Sequence, residues 1–201
     1  MSARKNTLTA VFAIFAWLAL LTQSLSAANR EADILQAACD VLDNLAAIPL
    51  RAIPPALLND AQGVAIIPDV IKAGFVIGGR YGRGVLLLRE PSGTWAKPIF
   101  ITVTGGGLGW QVGIQSTDLV LVFKTRTCLD KILKGTGKLT LGADVAVAAG
   151  PIGRQAEAGT DAQLHAEIYS YSRSRGLFVG ISLEGAVILV DSLATDNYYR
   201  T

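Results

Sequence analysis

Gly63-Val64-Ala65-Ile66-Ile67-Pro68 and Gly74-Phe75-Val76-Ile77-Gly78-Gly79-Arg80-Tyr81-Gly82-Arg83-Gly84-Val85-Leu86-Leu87-Leu88-Arg89 decide the fold. Val64 to Ile67 is a short β-prone run that Pro68 is expected to stop. Gly74 to Gly79 and Gly84 to Arg89 are two more runs, and Arg80-Tyr81-Gly82-Arg83 between them reads as a tight connection. The runs are apolar at consecutive positions, which is the pattern of strands covered on both faces. Working outward, Ile99 to Thr104, Gly109 to Gln115 and Leu119 to Phe123 continue the series, with Gly105-Gly106-Gly107 as a glycine bulge between two strands. Leu139 to Ala149, Ala162 to Ser172, Leu177 to Leu183 and Ala186 to Val190 extend it toward the C-terminus. Thr127 to Leu133 reads as a short helix.

On the N-terminal side the period changes. Ile34, Leu35, Ala38, Val41, Leu42 and Leu45 recur at helical spacing, and Asn29 can cap a helix over 29–47 with Glu31 and Asp33 in its first turn. Pro49, Pro54 and Pro55 end it, and a short helical turn follows at Ala56 to Ala61. The class is therefore α+β: an N-terminal helical segment followed by a mostly antiparallel, curled or barrel-like β-sheet. Twenty-one glycines suit many short strands with tight turns.

Residues 1–28 carry a different message. Arg4 and Lys5 precede the apolar run Leu8 to Leu21, and Ser26-Ala27-Ala28 follows. That order is a secretory signal peptide, and the run falls short of the ~20 residues of a spanning helix. An uncleaved anchor is the alternative. Residues 29–201 then form a single domain, periplasmic or secreted and peripheral to membrane. Of the two cysteines, Cys39 sits beside Ala37 and Ala38 on an apparent core face. Export permits a Cys39–Cys128 bond, but two cysteines specify no framework, and free thiols are expected.

Charge is uneven. Residues 72–138 carry a net +7, residues 29–71 a net −4 and residues 139–201 a net −3, so the chain after residue 28 is neutral. The basic middle suits an anionic partner, headgroups or nucleic acid; alternatively the flanks neutralise it on folding. Arg80 and Arg83 lie in a Gly-rich connection beside Tyr81. Lys131, Lys134 and Lys138 share a side if the helix runs that far, and Arg173 and Arg175 flank Ser174 in an expected turn.

Chemistry finds little support. His165 is the only histidine and has no ligand partners at metal spacing. Gly180-Ile181-Ser182-Leu183-Glu184 lacks the second glycine of a nucleophile elbow. Gly135-Thr136-Gly137-Lys138 lacks Ser or Thr after the lysine, as a phosphate loop requires. No enzyme, cofactor or metal is expected.

The stretch Asp60 to Tyr199 resembles the SYLF domain family. The match rests on Asp60-Ala61-Gln62-Gly63-Val64-Ala65-Ile66-Ile67-Pro68, the Gly74 to Gly79 and Gly82 to Leu86 runs, and Gly109-Trp110-Gln111-Val112-Gly113. Val147 to Gly153 and Tyr169 to Gly180 complete it, in that order. The resemblance implies phospholipid binding, phosphoinositide-like in the family, and actin or filament binding in some eukaryotic relatives. The stretch looks like the bacterial exported stand-alone type. The expectation is a non-catalytic cell-envelope protein that meets an anionic phospholipid surface through Arg80, Arg83, Lys131, Lys134, Lys138, Arg173 and Arg175, not nucleic acid. The alternative is a structural or protein-interaction domain with a protein partner in the envelope.

Overall fold

The structure is a computed structural model, described for residues 30–45, 47, 53–150, 166–174, 177–180, 183 and 185–200. Residues 1–28, which the sequence reads as a secretory leader, and His165, Ser182 and Arg175 lie outside the described residues. Helix α1 spans residues 30–45 and α2 spans Pro55–Asp60, with a proline at its start, where no N–H is required. Strand β1 then runs Gly63–Leu88 and β2 runs Ile99–Phe123. They pair antiparallel from Gly63 opposite Phe123 to Leu86 opposite Ile99. After α3 (Arg126–Lys134) come β3 (Lys138–Thr140), β4 (Val147–Ala149), β5 (Ile168–Ser174), β6 (Leu177–Gly180), β7 (Val187–Val190) and α4 (Ser192–Tyr199). The described strands form one sheet of order β3-β7-β2-β5-β4, with β1 added on β2 and β6 on β5; only the β4–β5 pair is parallel. The class is α+β with a mostly antiparallel, curled sheet.

Three sequence expectations change. Arg80 to Arg83 is no turn: it lies inside β1, and the hairpin turns at residues 89–98, where Gly93 takes φ 87°. Pro68 does not stop the first run. The chain absorbs it as a bulge between Ile67 and Val70, with Asp69 at φ 46° and its carboxylate accepting from Ser116 Oγ at 2.9 Å. Gly105 to Gly107 continues β2 in register; the second irregularity has its extra residues on β2, where residues 110–112 stand against the single residue 75 between Gly74 and Val76.

The glycines mark a close approach rather than a turn. A Cβ on Gly82 would stand 2.9 Å from side-chain carbons of Ile67 and Val70. One on Gly84 would run into the Ile66 carbonyl and stand 2.7 Å from Ile67 Cα. The late part of β1 therefore lies directly against its early part. The hairpin's base and tip meet as well, through Arg89 N–H to the Gln62 carbonyl at 2.9 Å. A ribbon this long doubles over itself, and that closure makes the curl.

Alternation along the ribbon feeds two cores. Ala65, Ile67, Leu119, Leu121, Phe123, Ile101 and Val103 face one side, closed by Cys128, Leu129 and Ile132 of α3. Val64, Ile66, Val120, Val122 and Phe100 face the other, under Ala38, Val41 and Leu45 of α1, Leu57 of α2 and Ala194 of α4. Strands covered on both faces need apolar residues at consecutive positions, which is what the sequence shows. Each Val, Leu, Ile or Phe among them, fully buried, contributes roughly 1.5–3 kcal/mol.

Candidate functional site

The basic residues are the natural place to look, and the fold gives most of them a partner. Arg83 leaves β1 on the face under α1. Its Nη2 donates to Glu31 Oε1 at 3.0 Å and to Asp191 Oδ2 at 3.2 Å. Glu31 is 4% exposed at the start of α1, and its second oxygen has no hydrogen-bond partner. Asp191 caps α4, accepting from Ala194 N at 3.0 Å. One guanidinium thus ties the first helix, the ribbon and the last helix. Burial lowers the Arg83 pKa, but its hydrogen bond and charge contacts with Glu31 and Asp191 outweigh that and raise it overall.

Arg80, three residues earlier, is half-buried, and burial alone depresses its pKa. Tyr81 between them is 53% exposed. Lys131 and Lys134 are exposed on α3. Lys131 Nζ donates to the Asp144 carbonyl at 2.7 Å, and Lys134 pairs with Asp130 at 3.2 Å one turn away. The helix ends at Lys134, so Lys138 does not continue that side; it opens β3 and is exposed. Arg173 lies within β5, not in a turn, and its Nε donates to Asp118 Oδ2 at 3.0 Å.

Of the six of these cations that are described, four hold an acceptor within the chain. The acidic flanks do part of the neutralising, since Arg83 takes Glu31 from one and Asp191 from the other. Other basic residues of the middle segment gather at the hairpin tip. Arg89 lies over the Trp95 ring at 4.8 Å, donates to the Asn59 carbonyl at 2.9 Å and has a buried Nε with no hydrogen-bond partner. Arg126 donates to the Arg89 carbonyl, and Lys97 sits 5.3 Å from the Tyr199 ring centre. Sequence reading missed Glu31 and Asp191 as partners. Each had a local signal, a first-turn acid and a cap, but pairing across 108 residues leaves no trace in spacing.

Gly135 to Lys138 connects α3 to β3, the reverse of the strand-to-helix order of a phosphate loop. Among the described residues no group of three metal-capable side chains is present, and no helix is long and apolar enough to cross a membrane. Cys39 and Cys128 are both free. Cys128 is buried under α3 as a small apolar side chain, whereas Cys39 is on the exposed side of α1, not on its core face.

Comparison with known proteins places this surface in context. Residues 104–201 match the family model described as Ysc84, Las17-binding protein actin regulator. The chain is 42% identical over 151 residues to LAS seventeen-binding protein 3 of Saccharomyces cerevisiae, covering 74% of this chain and 32% of that protein. It is 40% identical to SH3 domain-containing YSC84-like protein 1 of Xenopus laevis over 75% of this chain and 44% of the relative. Protein YSC84 of Saccharomyces cerevisiae is 41% identical, with 74% and 32% covered. The chain thus spans a third to somewhat under half the length of these relatives. No solved structure matches it. The Ysc84 match agrees with the SYLF resemblance, and the family's description names binding and actin regulation.

Proposed function

We propose that this chain, similar over residues 104–201 to the Ysc84 family, is a non-catalytic protein-interaction module, exported and working as a single domain on a protein partner of the envelope. The observation that supports it is the fate of the cations. Arg83, Arg173, Lys131 and Lys134 each hold an acceptor within the chain. A headgroup would have to displace those acceptors, and exposed pairs such as Lys134–Asp130 contribute little either way. The comparisons support the same reading, since the matching family is described as a Las17-binding actin regulator and one relative is named as a LAS seventeen-binding protein. Export would set actin itself aside as the partner here.

A second reading, contact with an anionic phospholipid surface, draws on Lys131, Lys134 and Lys138, all exposed around the α3–β3 connection. Each cation near such a surface gains on the order of 1 kcal/mol. Arg80, Arg83, Arg173 and Arg175 are its other candidates. Vesicle flotation separates the two. The interaction reading expects no salt-sensitive flotation with anionic vesicles, together with discrete protein adducts when photo-crosslinkers replace Tyr81 or Trp95 in the producing cell. Flotation that salt abolishes, without adducts, would transfer the function to lipid.

A further inference from the structure

The two cation–aromatic pairs at the hairpin turn belong to one strip. Arg89 and Trp95 are bridged across the turn. The Arg89 guanidinium lies over the Trp95 ring, and its Nη1 donates to the Asn59 carbonyl near the end of α2. Two residues past Trp95, Lys97 stands 5.3 Å from the centre of the Tyr199 ring, at the end of α4. The Tyr199 hydroxyl donates to the Pro98 carbonyl at 2.9 Å. Helices α2 and α4 cover the same core, so both pairs lie on that side of the ribbon, toward the two helix ends.

These two cations differ from Arg83, Arg173 and Lys134. Those three sit against carboxylates, whereas among the described residues no carboxylate pairs with Arg89 or Lys97. A carbonyl and a ring face hold Arg89 in place without cancelling its charge. A guanidinium fixed in this way keeps its planar fork of donors ready for a carboxylate.

What the strip disfavours selects its occupant. Trp95 is 41% and Tyr199 40% exposed, but each ring carries a cation on a face, and the Tyr199 hydroxyl is already bonded. Neither ring is set to enter a bilayer. Three acids border the strip as well. Glu90 accepts from Thr94 Oγ1 at 3.3 Å, Asp196 pairs with Arg200 at 3.1 Å, and Asp60 is exposed at the end of α2. A broad anionic surface would press against these carboxylates together with the two cations, and like charges brought close are a strong penalty. A narrow acidic chain meets the cations without covering the acids.

We propose that this strip docks a short acidic segment of a partner protein, with its carboxylates on Arg89 and Lys97 and its apolar side chains against Trp95 and Tyr199. The proposal rests on the protein-interaction reading and gives that reading its surface.

A short fluorescein-labelled peptide of alternating glutamate and serine, which presents its carboxylates on one side when extended, is the probe. Its anisotropy is followed as the full chain is added. The expected result is saturable binding that weakens with salt and that is at least tenfold weaker for the same peptide with glutamine in place of glutamate. Lys97→Glu, at an exposed position, should weaken binding at least tenfold and leave the thermal transition in place. Lys138→Glu, exposed at the start of β3, should change it less than threefold. Glu90→Gln should bind at least as tightly as the unaltered chain. No saturable binding, or equal loss with Lys97→Glu and Lys138→Glu, would overturn the proposal. Absent peptide binding alongside protein adducts from a crosslinker at Tyr81 would overturn the strip and leave the interaction reading standing. If the peptide does not bind, but phosphatidylglycerol vesicles float the chain and Lys97→Glu abolishes flotation, the strip is a headgroup contact and both readings fall.

Discussion

At the residue scale the determining side chain is Arg83. Sequence marks it as a candidate headgroup ligand, and the fold sets it between two carboxylates. Glu31 is nearly fully buried, and removing its counter-charge leaves an uncompensated carboxylate inside the protein, a change that typically costs about 3–5 kcal/mol. Arg83→Ala is therefore expected to lower the denaturant midpoint strongly, whereas Lys134→Ala, in an exposed pair, should shift stability by no more than about 0.5 kcal/mol. Equal midpoints for the two variants would refute the clamp. A second prediction concerns alkali. Burial raises the pKa of Cys128, Tyr169 and Tyr171, with the Tyr169 charge a further cause at Tyr171. Groups whose folded pKa is raised favour the protonated folded state. Their contribution is intact below the ordinary thiol and phenol range and is lost as pH rises through the folded values. Unfolding free energy should thus fall above about pH 9. Tyr171→Phe, which cannot ionise, should show a shallower fall across the same range in urea titrations.

At the scale of elements, the strands were legible and their continuity was not. Residue type revealed every apolar run from Val64 to Phe123 and the short helix at 126–134, because alternation and helical spacing are local. What spacing could not show is that Gly82 and Gly84 make room for another part of the same strand. Glycines flanking Arg83 look the same whether they bend the chain or let it be crossed. Helix α4 was missed because its eight residues carry only Asp191 as a start signal and a weak apolar stripe. The cation site was illegible for a related reason: charge along a chain does not say which acid folds onto which base. The crossing makes its own prediction. Gly84→Ala forces a Cβ into backbone, which cannot yield as a side-chain end can, and should cost more than about 3 kcal/mol. Gly93→Ala in the hairpin turn meets open space and carries only its positive φ, so roughly 1–2 kcal/mol is expected. Thermal midpoints of the two variants, measured side by side, check the order.

At the scale of the whole molecule, both cores are built on the same two strands, so neither can melt alone. Ile66 and Ile67 are adjacent in sequence and belong to different cores. Replacing either by Ala should cost about 2–5 kcal/mol and leave a single transition. Far-ultraviolet dichroism and tryptophan fluorescence should trace superimposable unfolding curves; two separated transitions would show that the cores are independent units. The N-terminal reading belongs here as well. If residues 1–28 are a secretory leader, intact-mass measurement of the protein from its native compartment should give a chain beginning near Ala28 or Asn29. A mass that includes Met1 would place the domain elsewhere.

The meeting of Gln62 with Arg89 also bears on the order of events during synthesis. The two residues are 27 apart, and closing so short a loop carries a small entropic cost compared with bringing β7 onto β2 from more than 80 residues away. The doubled ribbon, complete at Phe123, leaves the ribosome before β5 and β7 exist. For the time it takes to translate some 60 further residues, seconds at ordinary elongation rates, the far side of β2 is bare along its whole length. The interval in which this chain most needs a chaperone is set by where its own last strands are encoded.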